Sequence, residues 1–269
     1  MTAESNSNHN APAASTAPSN LIGRRIDVLD KGWIELQDLM GDDLAIVNAA
    51  RVSFLSENRG TDKDKKLLFY LMQHHHTSPF EQVEFKFRVR APVVTWWQWV
   101  RHRTWSFNAQ SGRYTAFEEG DFYVPRAWRK QAPSNKQASL GELSAEDGQP
   151  LYDALAEHYE RGYQLYRQAL EAGVARELAR VFLPGFAVYY TWVAKCDAHN
   201  LMHFLRLRMA EDAQYEIRAY ARAIYEGFFK PALPWTAEAF ERFVLHHIDP
   251  VSNANAGAGA RPDIDPPHP

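Results

Sequence analysis

The alternation of apolar and polar positions is sharpest around Val83, Phe85, Phe87 and Val89, which interleave with Glu84, Lys86, Arg88 and Arg90. A period of two predicts a strand with one buried and one solvated face. Upstream, RIDVLDKGWIELQDLM predicts a short strand or two beginning near Arg24. DDLAIVNAARVSF then predicts a helix with Asp42 at its N-cap. KDKKLLFYLMQHHH is a second amphipathic helix, followed by Ser78-Pro79-Phe80-Glu81, a capping-box pattern with proline at the first helical position. Pro92 opens an aromatic helix, VVTWWQWVRHR, and the polar stretch from Arg129 to Pro150 reads as a long surface loop. LYDALAEHYERGYQLYRQALEAG is an amphipathic helix ending at Gly173, and ARELARVFL stays helical up to Leu183-Pro184. VYYTWV has strand-forming residues, and DAHNLMHFLRLR and EDAQYEIRAYARAIYEGFF read as helix. Strands and helices mix without a regular βαβ alternation, which predicts an α+β single domain over residues 24–248.

Composition narrows the class. Of 269 residues, 45% are hydrophobic and 23% charged, an ordinary globular balance that excludes a fully disordered chain. Residues 1–23 lack the basic start and apolar run of a secretory signal, and they read as a solvated tail. Residues 249–269 likewise hold too little apolar surface to offset the entropy of ordering them. No run approaches the length of a spanning helix, so no membrane partner is expected. The single cysteine, Cys196, rules out an intramolecular disulfide framework and any zinc site that needs two thiolates. A reducing, cytoplasmic setting follows.

The charge distribution is uneven. Between Glu84 and Glu118 there is no acidic residue, while Lys86, Arg88, Arg90, Arg101, Arg103 and Arg113 supply six positive charges. The overall charge is −3, so the rest of the chain carries −9. Basic density beside Trp96, Trp97, Trp99 and Trp105 suits an anion with an aromatic part, a description a nucleotide meets. For Lys86, Arg88 and Arg90 the plainer reading is charge on the solvated face of a strand. Within the aromatic helix, Gln98, Arg101 and His102 fall on one face if the helix continues. A loop rich in Ser, Asn and Gly follows, whose backbone N–H groups and hydroxyls suit a phosphate or a base edge. Arginine forks provide bidentate phosphate contacts. A single-stranded nucleic-acid binding module is the rival reading, because basic and aromatic groups together also make stacking platforms. The net charge and the confinement of the basic excess to one window argue against it.

The run Arg101-His102-Arg103, then seven residues, then Ser111-Gly112-Arg113-Tyr114, closely resembles the signature of flavin-dependent thymidylate synthases. RIDVLDKGWIELQDLMG, AARVSF, the TSPFE box, QWVRHR, VARELARVFLP, NLMHFLRLR and AQYEIRAYA extend the resemblance over most of the chain. It implies a mixed α/β fold with a central antiparallel or mixed sheet, assembled as a homotetramer with active sites shared between subunits. It also implies methylation of dUMP to dTMP, with 5,10-methylenetetrahydrofolate as carbon donor and FAD and NADPH serving the hydride transfer. By the same resemblance Gln98, Trp99, Val100, Arg101, Ala109, Gln110, Ser111, Gly112, Arg113 and Arg180 contact the nucleotide. Arg208 matches the arginine that favours the ionised N3 of the pyrimidine. Ser78, Arg101, His102, Arg103, Ala109, Asp197, Ala198, His199 and His203 match flavin contacts, and His76 of the His74-His75-His76 run is placed on the flavin and folate side. Two positions depart from the family pattern: Ala109 stands where many relatives have Glu, and Asp212 where a histidine is common. An inactive paralogue is therefore a further alternative.

His199 and His203 lie four apart, a spacing that also suits a metal, but no Glu follows His199 and no third ligand is evident, so no metal is expected. Cys196 beside VYYTWVAK reads as a packed small group, and Ser111 has no adjacent base in sequence, so neither is taken as a nucleophile.

Overall fold

A computed structural model describes residues 20–53, 60–133 and 139–245. The expected tails fall outside these residues, apart from positions 20–23. There Leu21 is already buried in the core and the Gly23 N–H donates to Leu36 O, so ordered chain begins upstream of Arg24. Seven strands carry the β structure: β1 Arg25–Val28, β2 Gly32–Met40, β3 Glu84–Pro92, β4 Ser106–Ala109, β5 Arg129–Gln131, β6 Ser139–Glu142 and β7 Tyr189–Asp197. Five form an antiparallel sheet in the order β1-β2-β3-β7-β4, while β5 and β6 pair as a separate hairpin. The helices used below are α1 Asp43–Val52, α2 Thr61–Gln73, α3 Val93–Trp99, α4 Ala145–Glu171, α5 Arg176–Ala179, α6 Ala198–Arg208 and α7 Tyr215–Ile224.

The alternation around Val83 is realised as expected. Phe85, Phe87 and Val89 of β3 are fully buried, and in register they face Cys196, Ala194 and Trp192 of β7. Phe228 and Phe229, in a π-helical segment that continues α7, close over Phe87 and Phe85 at ring separations of 5.7 and 6.0 Å. The opposite edge of each strand carries charge: Arg88 pairs with Glu35 at 3.5 Å, Arg90 with Asp121, and Lys195 with Glu84 at 2.7 Å. Part of the sequence's basic excess is thus neutralised across the sheet. A second apolar cluster joins α4 to the segment around α5 through Tyr166, Ala169, Ala179, Leu183, Phe122 and Val188.

Four local expectations change. Ser78-Pro79-Phe80-Glu81 forms a 3-10 turn, Ser78–Gln82, whose N-cap position is Thr77 without a side-chain hydrogen bond, so no capping box exists. Proline supplies a favourable φ for that turn, and the N-cap position falls one residue earlier than the pattern expects. The stretch from Arg129 to Pro150 is not a loop throughout: it holds the β5–β6 hairpin and the first turns of α4. Ser144 accepts from Asp147 N at 3.1 Å and starts α4, and the helix tolerates Pro150 near its beginning. α3 ends at Trp99 rather than running on through Arg103. β4 was not legible as a strand; it lies at the sheet edge, pairing Phe107 with Ala194 and Ala109 with Trp192.

Candidate active site

Because α3 stops at Trp99, Arg101 and Arg103 sit on an exposed turn, which the His102 N–H (to Trp99 O) and the Trp105 N–H (to His102 O) hold in place. The expected helical face of Gln98, Arg101 and His102 does not form. Two of its members meet instead at a residue from the far end of the chain. Arg208, at the C-terminus of α6, donates from Nε to His102 Nε2 at 2.9 Å, from Nη1 to Gln98 Oε1 at 3.2 Å and from Nη2 to Gln98 O at 3.2 Å. Every one of these acceptors is neutral, and no carboxylate among the described residues pairs with Arg208. Burial and the nearby charge of Arg101 lower the pKa of its guanidinium. A half-buried cation without a counter-charge is electrostatically suited to an anion.

His102 is enclosed, 7% exposed, with its ring 4.9 Å from Phe204 and 6.0 Å from His203. Burial, then the Arg208 and His203 charges, push its pKa from an ordinary 6.5 down to about 4. The unfolded chain therefore takes up a proton at His102 through a window in which the folded chain does not. Stability contributed by this site is complete above pH 6.5 and declines as pH falls toward 4. Urea melts at pH 7 and pH 5 should show a larger loss for the native chain than for His102→Gln; equal losses would contradict the assignment.

The tryptophans behave differently from the sequence reading. Trp99 is fully buried against Trp105, Trp192 and Phe204, and Trp105 is 5% exposed; Trp97 is open to solvent and Trp96 half-buried. The Trp99 side chain cannot touch a nucleotide, and only its backbone remains available. A row of stacking platforms for single-stranded nucleic acid is absent from this segment.

The Gln110–Arg113 loop is anchored to the sheet and then to α5. Gln110 N donates to Thr191 O at 2.8 Å, and the Tyr190 hydroxyl donates to Gln110 O. Ser111 Oγ accepts from Arg113 N at 3.3 Å, a local turn with no base beside the hydroxyl. At Gly112 a Cβ would lie 2.8 Å from the Phe117 ring and 3.5 Å from Arg180 Nη1, so only glycine allows this approach. Arg113 meets Glu177 at 3.2 Å, and Arg180 Nε donates to Glu177 O at 3.3 Å. Ala109 packs half-buried on the core, leaving its backbone in the β4–β7 ladder. Gln110, Ser111, Gly112, Arg113 and Arg180 thus form one group, and Gln98, His102 and Arg208 another.

A third group surrounds a cavity of about 200 Å³. His76, His199 and His203 all line it, with His75, Thr77 and Arg206 at its polar side and Leu71, Met72, Phe80, Met202 and Phe240 as apolar walls. Sequence paired His199 with His203 and treated His76 apart; the fold brings all three together because α2 and α6 run past the same 3-10 turn. Ser78 opens that turn and is exposed. Asp197 is committed elsewhere, its carboxylate capping α6 by accepting from Asn200 N at 2.8 Å, and Ala198 is fully buried. Ala198 therefore presents no side chain to a ligand, and Asp197 is half-buried at the helix start. Arg206 lacked any sequence signal as a site neighbour, since it is one polar residue among many on a helix flank. Among the described residues no cluster has the ligands for a metal ion. Cys196 is buried, and desolvation raises its thiol pKa, which removes it as a nucleophile.

The sequence pattern of the family described as thymidylate synthase complementing protein matches residues 35–235. A flavin-dependent thymidylate synthase of Thermus thermophilus is 51% identical over 220 residues, covering 82% of this chain and 79% of the relative. The chain belongs to the flavin-dependent thymidylate synthase family. A family member from Thermosipho africanus is 44% identical, covering 80% of this chain and 93% of its own. Among solved structures, a UMP/dUMP methylase, PolB, from Streptomyces cacaoi bound with 5-Br dUMP superposes with a TM-score of 0.72 at 35% identity, covering 81% of this chain and 98% of that one. The mixed α and β fold with its antiparallel sheet is that of this thymidylate synthase family. No helix among the described residues is long and apolar enough to cross a membrane.

Proposed function

We propose that this flavin-dependent thymidylate synthase family member methylates dUMP to dTMP. The observation that carries the reading is the half-buried Arg208 guanidinium, bonded only to neutral acceptors. An ionised pyrimidine N3 supplies the missing negative charge, and ionisation at N3 drives electron density toward C5, the carbon to be methylated. Gln98 adds a donor and acceptor at the same edge. The phosphate is assigned to Arg113 and Arg180, with the Ser111 hydroxyl and the backbone beside Gly112. The Arg113–Glu177 pair is exposed on both sides, so a phosphate displaces the carboxylate at little cost.

Apolar walls with an imidazole rim fit a planar ring that hydrogen-bonds at its edge, which supports a flavin against the His76, His199 and His203 cavity. His76, His199, His203, Arg101 and Arg103 would hold FAD there, and FAD would supply the hydride chemistry when NADPH and methylenetetrahydrofolate serve as cosubstrates. Positioning and electrostatics remain as the protein's share, consistent with a buried thiol and a serine without a base.

As the family resemblance implies, we assign the two arginine groups to one site completed across subunits. Trp97, Leu178, Val181, Phe182 and Phe186 present large apolar surface beside Arg180, more than an isolated chain commonly exposes in one place. We assign this face to contact between subunits of a homotetramer with shared sites, in a cytoplasmic enzyme.

Anaerobic incubation with dUMP, methylenetetrahydrofolate, NADPH and added FAD should yield dTMP. Absence of dTMP from a flavin-loaded preparation would refute the activity. Arg113→Ala should weaken dUMP binding by about 10–100-fold, the loss of one charge-assisted contact, while barely changing deoxyuridine. Isothermal titration of both ligands checks this, and equal weakening would remove Arg113 from the phosphate.

A further inference from the structure

We propose that His102 is a positioning residue for Arg208, acting through an unprotonated Nε2 acceptor. The inference rests on the reading of Arg208 given above and assigns His102 a task separate from flavin contact. Arginine carries only donors, so the 2.9 Å contact requires a lone pair on His102 Nε2 and places the ring proton on Nδ1. Of the five N–H bonds of a guanidinium, three go to His102 and Gln98. One N–H on each terminal nitrogen remains for a ligand. The Nε bond adds a third fixed point to the guanidinium plane, beside the two that Gln98 holds at the terminal nitrogens.

The imidazole is itself held. It is enclosed, with Phe204 against one side and His203 near another, both on the same helix as Arg208. His102 sits on the turn after α3, and Gln98 on the last turn of that helix, so one short stretch grips a guanidinium carried by α6 more than 100 positions later. A protonated imidazole would lose the acceptor and set two cations together.

Glutamine places an amide oxygen near the position of Nε2, whereas the shorter asparagine places it near Nδ1. His102→Gln and His102→Asn in the full chain therefore separate an acceptor requirement from a packing requirement. Flavin content is read by absorbance, and turnover is measured at saturating FAD and dUMP, with Arg208→Ala alongside. The proposal expects His102→Asn to lose about 10–100-fold in kcat with flavin still bound, and His102→Gln to stay close to the native rate. If His102→Asn does not fold, His102→Leu, apolar and nearer in volume, carries the same expectation. Equal impairment of His102→Gln, a native kcat in His102→Asn, or a deficit that excess FAD restores would each overturn it. A crippled Arg208→Ala beside an unimpaired His102→Asn sinks this inference alone; an unimpaired Arg208→Ala sinks the reading of Arg208 and this inference with it.

Discussion

Arg208→Ala should lower methylation turnover by about 10²–10³-fold, the usual loss when a preorganised group facing developing charge is removed. Flavin absorbance and the melting temperature should change little. Arg208 lies at the C-terminal end of α6, and its removal leaves Gln98 and His102, both neutral, without stranding a buried charge. Steady-state kinetics of dTMP formation, run with the flavin spectrum on the same preparation, checks both halves. Native turnover in the variant would remove Arg208 from the chemistry.

Trp99→Ala should cost about 3–5 kcal/mol of stability, the range for emptying a large aromatic site in a core. The ring is wholly enclosed among Trp105, Trp192, Phe204 and Tyr220, with centroid separations from 4.8 to 6.2 Å. Its indole nitrogen makes no hydrogen bond among the described residues, so the loss is of packing rather than of a polar contact. Trp99→Phe keeps a ring in the space and should lose much less. Thermal or urea unfolding decides the matter. A native melting temperature in Trp99→Ala, accompanied by weak dUMP binding, would instead restore the side chain to the nucleotide site.

These two residues also show how far the sequence could be read. Arg208 was found only through its neighbours: NLMHFLRLR resembles a family block, whereas an arginine at a helix end by itself is most simply a solvated charge. Its partners could not be foreseen, because Gln98 and Arg208 are 110 positions apart and nothing local fixes how α3 meets α6. Trp99 was misjudged for the opposite reason. A tryptophan beside basic residues resembles a stacking platform in sequence, but the chain turns directly after it and folds the ring inward. The strand at Val83–Ala91 was legible because its register is local and uninterrupted. β4 was not: four residues at a sheet edge carry too short a pattern, and its pairing partner β7 lies far along the chain, with Asn108 opposite Val193, 85 positions away. The Ser144 start of α4 did have a signal, Ser144 with Asp147 three residues on, but Pro150 obscured it. His76, His199 and His203 could be named from sequence, but the cavity they share is a product of tertiary packing.

The decisive measurement is the protonation state of the pyrimidine N3 in the bound complex, read by ¹⁵N NMR of dUMP labelled at that nitrogen. An Arg208 cation paired only with His102 and Gln98 should bind the ligand with N3 deprotonated at neutral pH, and Arg208→Ala should bind it with the N3 proton retained. A bound ligand that keeps its N3 proton in the native protein would contradict the account.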